Sequence, residues 1–146
     1  MDQVPQLANS ARVFRIIHAA LTVGLVLVGG TFFLLLRVRR WQSLGGAPAI
    51  GLVLGALGAG LLVVAATVLR PKVPPRRFDE APETYWMAME TRAPAIILWC
   101  VVQAAGLLGL IGYVLTGRPL AAAAGALALA ALVLFRPSRL EGEGAA

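Results

Sequence analysis

Apolar residues in this chain come in four long uncharged blocks, without short alternation. Residues 16–36 hold 21 positions without a charge, 47–69 hold 23, 93–117 hold 25 and 119–135 hold 17. A helix crosses the hydrocarbon core of a bilayer with about 20 apolar residues, within a range of roughly 17 to 25. All four blocks meet that length. None alternates apolar and polar with period two, which excludes a β-barrel. The pattern predicts an all-α chain, an integral membrane four-helix bundle formed by residues 1–146 as a single transmembrane domain. Its spans are expected over about 14–36, 48–69, 93–116 and 119–135.

The first block is too long for the h-region of a signal peptide. It is followed by Arg37, Arg39 and Arg40 in place of a small-x-small cleavage site. It reads as a retained helix after a short polar start over residues 1–9.

Composition supports lipid as part of the solvent. Apolar residues make up 59% and charged residues 14%, where a soluble domain carries roughly 25% charged. The net charge of +6 does not indicate nucleic acid, because the basic residues flank apolar blocks and no aromatic-basic interleaving occurs. Twelve of the 13 basic residues are Arg, the other being Lys72. With so much Ala, Gly and Leu, this bias suggests GC-rich coding and a bacterial cytoplasmic (inner) membrane. An even number of spans places Arg12, Arg15, Arg70, Lys72, Arg76, Arg77, Arg92, Arg136 and Arg139 on one side, against Arg37, Arg39, Arg40 and Arg118 on the other. The positive-inside rule then puts both termini and the 70–92 loop in the cytoplasm. Taken locally, the first helix votes the other way, with two Arg before it and three after.

The joints carry their own signals. Thr116-Gly117-Arg118-Pro119 reads as a tight turn, with Gly117 left-handed at a helix end and Pro119 opening the next helix. In the 37–48 connection Trp41 suits the interface and Gly45-Gly46 breaks the helix. The 70–92 segment is first basic and proline-rich. It then becomes amphipathic, predicting an interfacial surface helix over about 82–92 with Pro94 bending the join.

Helices in lipid associate by close packing, so small residues mark contact faces. Gly51 and Gly55 in the second span, and Gly106, Gly109 and Gly112 in the third, are the packing candidates. They serve either one chain's packing or self-association. Gly24 and Gly30 match Gly106 and Gly112 at a constant offset, and the second and fourth spans both end in Arg-Pro. Two repeated helical hairpins are one reading of this pattern.

Two intramembrane polar residues stand out. His18 lies one turn beyond Arg15 and reads as an interfacial or hydrogen-bonded histidine. Gln103 falls near the bilayer midplane and reads as an interhelical hydrogen-bonding residue. There is no second His and no Met within the spans, so haem ligation lacks an axial partner. No catalytic residues, metal site or cofactor are expected.

The stretch Gln103-Ala104-Ala105-Gly106-Leu107-Leu108-Gly109-Leu110 resembles the ion-binding helix of rotary-ATPase proteolipids, the c subunits. The glycines 51, 55, 58 and 60 and the Arg70-Pro71 pair stand where that family has its glycine-rich helix and loop. The resemblance covers the second and third spans and implies shape and oligomerisation. Ion translocation is not implied, since Gln103 replaces the carboxylate.

No Asp or Glu lies inside any of the four blocks, whereas proton and cation relays through lipid use such residues. No Ser-His-Asp set or phosphate loop occurs. The expectation is a small non-enzymatic membrane protein, an accessory, scaffold or assembly subunit of a membrane complex. A proteolipid-like ring component without an ion site, or a small channel or carrier, is the alternative. The expected partners are the lipid bilayer and either further copies of the chain or other membrane subunits.

Overall fold

The computed structural model describes residues 10–38 and 48–142. The polar start, Arg39, Arg40, Trp41 and the Gly45-Gly46 pair lie outside the described residues. Those described form helices and connecting turns, with no strand.

Helix α1 is Ser10–Val38, 29 residues without a proline, with Arg37 in its last turn near the free carbonyls. Helix α2 is Pro48–Val64; it runs on through a π turn, Ala65–Leu69, and a 3-10 turn, Arg70–Lys72, as one span of 25 residues. A short helix α3, Pro82–Met87, precedes α4, Met89–Thr116, of 28 residues. Helix α5 is Pro119–Leu134 and α6 is Pro137–Leu140. Three helices are thus long and apolar enough to cross a membrane, and α5 is a shorter fourth apolar helix of 16 residues.

The turn between α4 and α5 follows its chemistry. Gly117 has φ 65° and donates its N–H to Tyr113 O at 2.7 Å, and Pro119 opens α5, where a missing N–H costs nothing. Both Arg-Pro pairs begin a short helical turn: Pro71 lies in Arg70–Lys72, and Pro137 starts α6. The amphipathic segment differs from the expected 82–92 helix. It is divided at Ala88, whose ψ of 127° is extended, so the bend falls there. Pro94 sits inside α4. Helix α3 buries Tyr85 and Trp86 on one face and exposes Thr84 and Met87 on the other.

Helix α4 is central, with α2 and α5 packed along it and α1 beside them. Half of α4's most apolar stretch is buried, against 6% in α1 and 11% in Pro48–Lys72. The core gathers Trp99, Leu98 and Val102 of α4, Leu25 of α1, and Ala128 and Leu132 of α5. Four residues of α1 are buried, Ala11, Phe14, His18 and Leu25, and none beyond Leu25. Beyond Leu25, Val28 and Phe32 pack on the core while only partly buried. The start of α1 and the end of α5 share one end of the molecule, the terminal end; the α4–α5 turn marks the other, the hairpin end.

Candidate functional site

Two features are built with more precision than generic apolar packing: a glycine seam along α4 and a polar, aromatic lock at the terminal end.

In the seam, a Cβ added at Gly109 would stand 2.7 Å from Ala124 Cβ, 2.8 Å from Ala121 O and 2.9 Å from Gly125 N. Two of those three atoms are backbone, so only glycine permits α4 and α5 to lie this close. Gly106 faces Leu25 and Ala128 at 2.8 and 2.9 Å, and Gly112 faces Gly51 O at 3.2 Å. The three glycines therefore occupy packed positions against α1, α5 and α2. Gly51 itself would strike the Thr116 side chain at 2.6 Å, whereas Gly55 has ordinary clearance, 3.5 Å from Ala121 Cα. Gly58 is the tighter partner on α2, 2.7 Å from Ala105 O. The paired offsets of the repeat do not carry equal roles. Gly24 and Gly30 lie in open or ordinary surroundings, while Gly106 and Gly112 are close contacts.

The lock centres on Glu141. Its side chain is fully buried, with Oε1 accepting Trp86 Nε1–H at 2.7 Å and Oε2 accepting Arg15 at 3.0 Å. Its backbone oxygen accepts Arg76 Nε–H at 3.1 Å. A buried carboxylate is tolerated only when paired and hydrogen-bonded, and here the partners come from three separate segments. Phe14 stacks on Trp86 at 4.8 Å between centroids, and Trp86 meets Trp99 at 5.8 Å. Tyr85 donates its hydroxyl to Pro74 O at 2.7 Å and lies 3.3 Å from Leu140 O. Burial pushes the Tyr85 hydroxyl up to about 12, against the opposing pull of the Arg70 guanidinium. Ser10 Oγ donates to Glu83 O at 2.9 Å.

The end of α5 explains two further contacts. The last carbonyls of a helix have no intrahelical partner, and Pro137 brings no N–H to replace one. Trp99 Nε1–H reaches Phe135 O at 2.8 Å, and His18 Nε2 lies 2.9 Å from Leu132 O. A carbonyl accepts, so Nε2 carries the proton. His18 also meets the edge of Trp99 at 5.1 Å. Its role is to tie α1 to α5.

Gln103 does something other than expected. Its Oε1 is buried without a hydrogen-bond partner, and its Nε2 is 4.0 Å from where a Gly24 Cβ would stand. The residue faces α1 without bonding to it. Cys100 is exposed on the protein surface. Among the described residues, no group of three or more His, Cys, Asp or Glu side chains comes together.

Glu141, Phe14 and Trp99 were not singled out from the sequence. A partial signal existed for Glu141: an even span count puts it at the same end as Arg12 and Arg15, where an acid can meet a basic helix start.

Comparison with protein-family models, with curated proteins and with solved structures found no match.

Proposed function

We propose that this chain is an integral membrane four-helix bundle, with both termini and the 70–92 segment on the cytoplasmic side of a bacterial inner membrane. It works without catalysis, as an accessory, scaffold or assembly subunit of a membrane complex. One observation carries this reading: two of the three long apolar helices bury only 6% and 11% of their most apolar stretch within the chain. Such surfaces are stable in lipid or against other membrane helices. The internal hydrogen-bonding effort is concentrated in the lock that fixes the start of α1 and the segment after α6 to residues 73–86. That arrangement supports a rigid platform presenting apolar helix faces, rather than a machine with a moving polar pathway. A proteolipid-like ring is the weaker reading, since Gln103 faces α1 of its own chain.

The test is extraction and mass. Resistance to alkaline carbonate and co-purification of stoichiometric membrane subunits from native membrane are expected. Release by carbonate would remove the membrane reading. A symmetrical ring of this chain alone would favour the proteolipid alternative.

A further inference from the structure

We propose that the cleft between α1 and α5 at the hairpin end binds one anionic phospholipid, its acyl chain along the cleft and its phosphate on Arg37. The proposal rests on the membrane reading above.

The cleft follows from how α1 is held. Beyond Leu25 no residue of α1 is fully buried; Val28 and Phe32 pack partly on the core, and beside them α1 borders an apolar slot of about 510 Å³. Val26, Gly30 and Phe33 form one wall, and Tyr113, Ala126 and Leu129 stand opposite. A volume of this order is typical of small-molecule sites, roughly 300–1,000 Å³. From Leu25 to Phe33 the slot runs along about 12 Å of helix at 1.5 Å per residue. That is most of one leaflet of a hydrocarbon core about 30 Å thick.

The upper end of the slot changes character. Phe33 and Tyr113 also line a second pocket, of about 330 Å³, together with Arg37. The Arg37 guanidinium lies 5.8 Å from the centre of the Phe33 ring and makes no ion pair among the described residues. An apolar slot thus leads directly to a cation, the order of parts in a phospholipid. Charge settles the headgroup and the occupant. The acidic residues are Asp2, Asp79, Glu80, Glu83, Glu90, Glu141 and Glu143, so the 19–69 and 93–135 stretches contain none, while Arg37 and Arg118 lie at the hairpin end. A zwitterionic headgroup finds no acid there for its ammonium. A second copy of the chain set side by side in the same orientation would bring Arg against Arg. A phosphodiester with net negative charge meets neither objection.

The chain, reconstituted in nanodiscs of equal parts phosphatidylglycerol and phosphatidylcholine, is released and weighed by native mass spectrometry. One phosphatidylglycerol should remain bound, retained several-fold over phosphatidylcholine. Arg37→Gln should abolish that preference. Gly30→Leu should reduce retention of both lipids, and it enters open space, since nothing lies within 4 Å of a Cβ at Gly30. Ala126→Leu fills the same slot from the other wall, and unchanged emission of the buried Trp86 and Trp99 certifies the fold of each variant. Equal retention of the two lipids by the parent chain, or retention indifferent to both filling variants, overturns the site. So does a dimer that Gly30→Leu dissolves. A chain that carbonate strips from membranes fails at the earlier step, distinguishably from an integral protein without lipid selectivity.

Discussion

Arg15 and Glu141 are 126 positions apart in the chain and 3.0 Å apart in space. The guanidinium is about half exposed while the carboxylate is fully buried, so the pair is a surface cation reaching onto an interior acid. The acid's other oxygen is held by Trp86. This contact closes the molecule at its terminal end, joining the start of α1 to the segment after α6.

The two halves of that arrangement can be separated. Glu141→Gln keeps an acceptor for the Trp86 N–H and loses the charge toward Arg15. It should cost about 1 kcal/mol, since half-exposed pairs contribute little. Glu141→Leu leaves the indole N–H buried and unpaired, and should cost roughly 1–3 kcal/mol more. Unfolding in mixed detergent, followed by tryptophan emission, reads both; equal losses would mean the Trp86 bond contributes nothing.

Tyr85 makes stability depend on alkaline pH. Its hydroxyl is pushed up to about 12 in the fold from an ordinary value of 10.0. Protons are thus held more tightly when folded. The contribution is complete below pH 10 and is lost as pH rises from about 10 toward about 12. Tyr85→Phe should flatten that decline and cost about 1 kcal/mol at neutral pH through the lost bond to Pro74 O. A melting series across this range in detergent tests it, and an unchanged slope in the Phe variant would assign the decline elsewhere.

Glycines differ by position, and the difference is measurable. Gly109→Ala puts a methyl against backbone atoms of α5 and should lose roughly 1–3 kcal/mol through overpacking. Gly60→Ala meets nothing within 4 Å and should be neutral or gain up to about 1 kcal/mol from reduced backbone entropy. Comparable gains at the two sites would show that helix propensity, not contact, sets the outcome.

The helices were legible because long uncharged blocks have few other solutions, and the α4–α5 turn because Gly117 and Pro119 each have one preferred place. Gly109 was legible for a related reason, since small residues at regular spacing imply close approach. The lock was not. Trp86 sits in an amphipathic stretch whose pattern suits a membrane interface, and only the buried oxygen of Glu141, from the other end of the chain, lets its indole go inside. Long-range polar pairing of this kind leaves no periodicity. Gln103 was misread for the opposite reason: an amide in an apolar run implies a partner, and the helix geometry placed Gly24 opposite, which has no side chain to offer one.

That unpaired amide supports the last prediction. A buried carbonyl oxygen without a donor costs free energy, so Gln103→Leu in the isolated chain should be neutral or stabilising by about 1 kcal/mol, the reverse of the loss of roughly 0.6–2 kcal/mol expected for an interhelical bond in membranes. Because that oxygen is closed off from the surface by its own chain, no outside subunit reaches it, so Gln103→Leu should also leave co-purification of other subunits from native membrane unchanged. Detergent unfolding and pull-down from the same membranes give the two readings side by side. A loss of stability in the isolated chain would place a partner of Gln103 within this molecule. Weakened co-purification would put Gln103 on the assembly surface instead.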